Sequence, residues 1–397
     1  MIRFLYNPTS WRDGPVLGGM ADALVQPILP HLGHDHELTD APKVGGVNVY
    51  YSFPNKYGGL DRRSTNVFVS HGIADKRWRN AAKLRGLFDF VFVSGPAWSM
   101  RLMSSPGVQT SRIVEAGYPK LDPIFNGEIA PPERDGRVRV VYAPTHGGGG
   151  EGHDTPGKPT AKVSRLSSHH HRDVVLGSLP PSEFDVVVAL HPRHRPDGRS
   201  TLAEYVGADV VIADGGSTIY EAWALDIPVV FPSWLVGSAH RSRQTFEGEI
   251  YNGRIGWHVD RPADLARTVT AAARSGITDG EQDFIETILP RAYRGVSGRM
   301  HAEALDDIAD GIRPVRHVTA AAASTVLVYE ERGARREVIA GSVQHEWMLK
   351  SGSWRFVGWI DDLGTLHDAH RLLAEARTPA RRKMLDRQIR KLDAQEV

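Results

Sequence analysis

The feature that most narrows the fold is a double series of short, almost continuously apolar runs rich in β-branched residues. Residues 2–6, 47–51, 67–69, 90–93 and 113–115 form the first series. Residues 138–142, 186–190, 210–213, 229–231 and 256–259 form the second. A strand covered on both faces loses the apolar–polar alternation of a half-exposed one, and such strands belong to parallel sheets. The intervals between runs leave room for the crossovers that parallel pairing needs. Between the series lies "NGEIAPPERDGR", residues 126–137, whose proline pair, glycines and charges suit a connector. Two tandem parallel α/β units follow, over residues 1–130 and 131–315, with a helical stretch at 283–312 closing the second.

Residues 316–397 read differently. Strand-like runs there are broken by "ERGAR" and "KSGS", which are hairpin signals. A small α+β appendage is expected, with charged helices at about 364–376 and 378–393, and with Trp347, Trp354 and Trp359 in the hairpin core.

Composition excludes several functions. The 48 basic and 47 acidic side chains nearly cancel, so no global field marks a nucleic-acid binder. With no cysteine, disulfides, cysteine-held zinc, iron–sulfur clusters and thiol nucleophiles are ruled out. No apolar run approaches the roughly 20 residues that span a bilayer, and the first residues lack a signal-peptide pattern. A cytoplasmic protein without a transmembrane segment is expected.

In doubly wound sheets ligands sit beyond the carboxyl ends of the strands, so the residues just past each run matter most. These are "SHGIADK" with His71 and Gly72, "APTHGGGGEG" with Thr145 and His146, and "LHPRHR" with His191, Arg193, His194 and Arg195. "ADGGSTIYEAW" adds Asp214, Gly215, Gly216, Ser217, Thr218 and Glu221. Ser217 and Thr218 open a helix, where unpaired backbone N–H groups and the helix dipole favour an anion. Gly215 and Gly216 permit a tight turn and keep side chains out of a phosphate's way. Glu221 lies four residues on, on the Ser217 face, where a carboxylate can hold ribose hydroxyls. Ile219, Ala222 and Trp223 form the face that packs on the sheet. The competing reading makes Ser217 and Thr218 simple helix caps. His169, His170 and His171, like His34 and His36, read as solvated loop residues rather than metal ligands.

Taken in order, "VSHGIADK", "VSGPAW", "AGYPKLD", "VVYAPTH", "LHPRHR", "ADVVIADGGS" and "GVSGR" resemble the CDP-glycerol glycerophosphotransferases of teichoic-acid synthesis, over roughly residues 60–305. The resemblance implies a GT-B fold: two Rossmann-like domains facing a cleft, the second holding most of the nucleotide. It implies that His71 is the general base, that His191 is a second essential histidine near the donor phosphates, and that Asp214 and Ser217 belong to the diphosphate turn. It also implies metal-independent chemistry with no cofactor beyond the donor. The family's turn is commonly Asp-Tyr-Ser-Ser, whereas this chain carries Asp-Gly-Gly-Ser followed by Glu221, a form closer to sugar-nucleotide transferases. The expected activity is therefore transfer of a glycosyl or glycerophosphate group from a nucleotide-diphosphate donor to an acceptor hydroxyl, with the sugar donor favoured. The alternatives are a CDP-glycerol glycerophosphotransferase proper, a sugar-nucleotide 2-epimerase and a non-catalytic GT-B binding protein. The acceptor stays open among a wall or capsule polymer, a protein and modified DNA.

Overall fold

The computed structural model describes residues 1–6, 22–52, 54–70, 72–74, 87–103, 113–145, 165–191, 201–312 and 314, and the backbone of four later strands. The first unit is a six-stranded sheet of β1 (Ile2–Leu5), β2 (His36–Thr39), β3 (Val47–Tyr50), β4 (Thr65–Val69), β5 (Phe90–Val93) and β6 (Ile113–Glu115). Its strand order is β2-β1-β3-β4-β5-β6, with every pairing parallel. The second contains β7 (Val138–Ala143), β8 (Phe184–Val188), β9 (Val210–Ala213), β10 (Val229–Pro232) and β11 (Trp257–Val259). Its order is β11-β10-β9-β7-β8, again all parallel. Strands β3, β9 and β10 are buried along their whole length, as their unbroken apolar sequence requires.

β2, with the sequence HELT, has no counterpart among the expected strands. It is an edge strand with alternating exposure, so its polar residues carry no continuous apolar signal. His36 is thus an exposed strand residue rather than a loop residue, and His34 pairs with Asp310 at 3.0 Å.

The helical stretch after residue 279 is two helices. Asp279–Ile288 and Ser297–Ala309 are separated at Pro290 and by a short 3-10 turn at Arg291–Tyr293, because proline cannot continue the helical ladder. The second of these, the closing helix, crosses back onto the first unit. Asp306 accepts from the amides of Gly33 (2.7 Å) and His34 (3.2 Å). At Gly298 an added Cβ would lie 2.1 Å from the Pro27 carbonyl oxygen, so glycine is what permits this approach.

One apolar core runs through both units. It joins Ile2, Val49, Phe92 and Leu121 of the first to Ile219, Trp223, Phe231 and Leu305 beyond the connector. A smaller core, with Val140, Val210, Leu265 and Val269, covers the other face of the second sheet. The appendage is an antiparallel sheet of β12 (Val326–Glu331), β13 (Ala334–Ile339), β14 (Arg355–Ile360) and β15 (Leu366–Asp368), in the order β13-β12-β14-β15. β12 and β13 form a hairpin across "ERGAR". Leu366–Asp368 pairs with β14 as a strand, which corrects the helix expected to begin near 364. The remaining residues of the expected tail helices, together with Trp347 and Trp354, lie outside the described residues.

Candidate functional site

In the second sheet the chain order reverses between β7 and β9, which opens a crevice beyond their carboxyl ends. The Asp214–Gly216 corner stands at that crevice, between β9 and the helix Ser217–Ala224, here the corner helix. Gly216 has φ +84° and ψ −170°, a conformation that side chains disfavour. A Cβ on Gly215 would lie 3.1 Å from Cε1 of His240. Neither Ser217 nor Thr218 caps the helix: the N-cap is Gly216, which has no side chain. The Thr218 hydroxyl instead donates to the Gly215 carbonyl at 3.2 Å. Among the described residues, the backbone amides of Ser217 and Thr218 donate to no protein group.

The Gly216 amide donates to Oε1 of Glu247 at 3.1 Å. Glu247 is 1% exposed, in the first turn of the helix Phe246–Gly253, which Thr245 caps through the Gly248 amide. Its carboxylate therefore lies at the positive ends of two helices. Sequence reasoning missed this residue. Its one legible signal, an acid just after a threonine cap in "QTFEGE", is an ordinary helix start.

Asp214 faces inward and is fully buried. It accepts from the Thr145 amide (2.9 Å), the Ser168 amide (2.5 Å) and the Ser168 hydroxyl (2.8 Å). It thereby ties the ends of β7 and β9 to the turn at 165–168. Thr145 is also buried, and its carbonyl accepts from the Ser167 hydroxyl at 2.6 Å. His191 lies three residues past β8 and is partly buried. His71, His146, Arg193 and Arg195 lie outside the described residues.

The corner helix meets the first unit along its Ser217–Glu221 face. A Cβ on Gly72 would lie 2.6 Å from Oγ of Ser217, so the glycine of "SHG" is what lets the loop after β4 approach the helix tip. Glu221 is 1% exposed, and its carboxylate is taken up by protein groups instead of standing open to ribose. Oε1 accepts from Lys120 Nζ at 2.7 Å and from the Tyr118 hydroxyl at 3.0 Å. The Tyr205 hydroxyl, which accepts from the Thr201 hydroxyl at 3.4 Å, feels the same carboxylate charge. Burial, and then the Glu221 charge, push both phenols well above the ordinary tyrosine range, so they remain neutral donors. The other face of the helix buries Ile219, Ala222 and Trp223 completely, as its sequence pattern requires.

The remaining motifs also meet across the units. The Tyr118 amide donates to Oγ of Ser297 at 2.8 Å, and the Gly298 amide donates to Asp122 at 2.6 Å, so "AGYPKLD" grips "GVSGR". Burial raises Asp122 to about 6 despite the amides of Gly298, Ser297 and Gly295. Gly95 of "SGPAW" abuts the Ile288 carbonyl, where a Cβ would lie 2.7 Å from the oxygen. Arg101 reaches across to the Gln244 carbonyl (3.1 Å) and to Glu249 (2.7 Å).

Next to the corner is an open recess of about 490 Å³ lined by Arg165, Leu166, Ser238, Ala239, Ser242 and Arg243. His240 separates the two, with its ring stacked on Tyr251 at 4.6 Å and Nε2 3.3 Å from the Leu166 carbonyl. His170 and His171 are exposed on a 3-10 turn. Among the described residues, no group of three histidine or acidic side chains is arranged to hold a metal ion. None of their helices is long and apolar enough to cross a membrane.

Two parallel sheets flanked by helices, one in each of two consecutive units, make this a GT-B fold. Solved structures of one enzyme share it. The wall teichoic acid polymerase TagF matches with a TM-score of 0.53 at 12% identity, over 78% of this chain and 89% of that one. A form of TagF soaked with CDPG matches at 0.52. The S. aureus MnaA–UDP co-structure scores 0.48 at 13% identity, over 80% of this chain and 99% of that one. No family model matches the sequence, and no curated protein does.

Proposed function

We propose that this chain is a GT-B transferase that moves a glycosyl or glycerophosphate group from a nucleotide-diphosphate donor to an acceptor hydroxyl. The observation that carries the reading is the pair of amides, Ser217 and Thr218, unclaimed among the described residues, at a glycine corner on the switch point of the second sheet. Two N–H groups and a helix dipole suit a diphosphate, and charge that grows on it as the leaving group departs is stabilised there. The recess with Arg165 and Arg243 adjoins the corner and has the size of a small-molecule site. Its arginines suit an anionic ligand.

In this reading His71 takes the proton of the acceptor hydroxyl, a task for which an imidazole is suited near neutral pH. His191 acts near the donor phosphates. With a sugar nucleotide, the acceptor oxygen bonds the anomeric carbon, the bond from that carbon to phosphate oxygen breaks, and a nucleoside diphosphate leaves. With CDP-glycerol, the oxygen bonds phosphorus, the P–O–P bridge breaks, and CMP leaves. The Gly215-Gly216 form of the turn favours the sugar donor. The engagement of Glu221 by Lys120 removes the ribose contact from that argument.

The test is incubation with CDP-, UDP-, GDP- and dTDP-activated donors and candidate acceptors, scoring thermal stabilisation and the nucleotide released. His71→Ala is expected to keep donor stabilisation and lose turnover, and His191→Ala is expected to lose turnover. Normal turnover in both variants refutes these roles. Change of the donor without an acceptor identifies an epimerase instead.

A further inference from the structure

We infer that Lys120 is a positioning residue for the donor helix: through its buried pair with Glu221 it fixes the tip of that helix against the loops of the first unit. The inference rests on the proposed transferase reading for its catalytic consequence, while its structural content stands apart from it.

The pair is unusual in its setting. Lys120 and Glu221 side chains are 5% and 1% exposed, with Nζ and Oε1 2.7 Å apart. Charges withdrawn from water in this way are costly, and apolar residues of similar volume often give equal stability. Here the carboxylate, carried by a helix of the second unit, is satisfied from the first, by Lys120 and Tyr118. A non-directional apolar contact could slide, whereas this arrangement has a single geometry.

That geometry lies one helical turn from the site. Glu221 and Ser217 share a face of the corner helix, and Ser217 is in contact with the Gly72 loop. The helix is therefore held at two points, one turn apart, by loops that follow two different strands of the first sheet. The loop that presents Tyr118 and Lys120 is itself fixed, because Ser297 receives the Tyr118 amide and Asp122 receives the Gly298 amide. The chain of contacts runs from the closing helix through Lys120 to the amides at 217 and 218. It sets where a diphosphate on those amides stands relative to the loop after β4.

The experiment compares Lys120→Met, Glu221→Gln and the double variant. Either single change is expected to lower Tm, since Lys120→Met leaves a buried carboxylate and Glu221→Gln leaves a buried ammonium. The double variant is neutral, retains an acceptor for the Tyr118 hydroxyl, and is expected to regain most of that loss. Its kcat is expected to remain about 10²-fold down, the scale of a small misplacement of reacting groups. Its donor KM is expected to stay within about threefold, because the diphosphate amides are untouched. A second readout needs no activity. The chain has no cysteine, so Arg62→Cys and Ser275→Cys, both at exposed positions, give one spin-labelled pair across the units. The distance distribution is expected to broaden in the double variant. A double variant with parent-like kcat, or with an unchanged distribution, overturns the inference. If the parent turns over no donor while the distribution broadens, the transferase reading fails and the positioning role stands.

Discussion

Acid stability gives the sharpest quantitative check, through His301. This residue lies on the closing helix, 2% exposed, with its ring edge-on to Phe92 at 5.2 Å between centroids. Neither ring nitrogen has a hydrogen-bond partner among the described residues. Burial alone holds its pKa down at about 3, against 6.5 when solvated. The folded state therefore refuses a proton that the unfolded chain accepts. The resulting stability is complete above pH 6.5 and is lost as pH falls from there toward 3. Between pH 8 and pH 5 the loss covers one and a half pH units at about 1.36 kcal/mol each, or about 2 kcal/mol. Among the described residues, other groups act over the same range. His258, held near 4 by burial, contributes a further loss of the same sign. Asp122, raised to about 6, does the reverse, because its favourable protonation is lost as pH rises through 6. The comparison that isolates His301 is His301→Leu against the parent, each unfolded in urea at pH 8 and pH 5. The variant is expected to lose about 2 kcal/mol less than the parent on acidification and to be no less stable at pH 8. Equal losses in both proteins would refute the argument.

Three further substitutions test the site's construction. Asp214→Ala removes the acceptor of three buried donors and is expected to cost on the order of 3 kcal/mol or more, read from the thermal midpoint. Gly216→Ala forces a side chain to φ near +84° and is expected to cost about 1–3 kcal/mol while also weakening donor binding in calorimetry. Gly72→Ala is expected to lower stability by about 1 kcal/mol through contact with the Ser217 hydroxyl, and adding Ser217→Ala should restore it, because the next atom lies 3.8 Å away. Additive effects in that last pair would show that the two residues do not touch.

Most of the two sheets was legible because their strands are buried on both faces and spell this out as apolar runs. The corner was legible as well, since only glycine suits the geometry at 216. What escaped the sequence was relational. Nothing in "HELT" announces an edge strand, because pairing on one side needs no apolar face. The sequence places Glu221 on the same face as Ser217, and this was correct, but it cannot show that Lys120, 101 residues earlier, reaches that carboxylate first. The same holds for Glu247, whose ordinary position at a helix start hides its contact with Gly216. The helical stretch at 283–312 divides at Pro290, and the return of its second part to the first unit depends on Gly298 fitting under Pro27, a contact between distant segments.

The closing helix makes the two nucleotide-fold halves hostages of each other. A cut in the connector between β6 and β7 would free no independent module, since the fragment carrying the second sheet also owns the helix that completes the first. Such a nicked protein should persist as a tight two-chain assembly, and the two pieces, expressed apart, should recover their structure only on mixing. A molecule built in this way is a natural scaffold for split reporters, and one in which the inheritance of either half constrains the other.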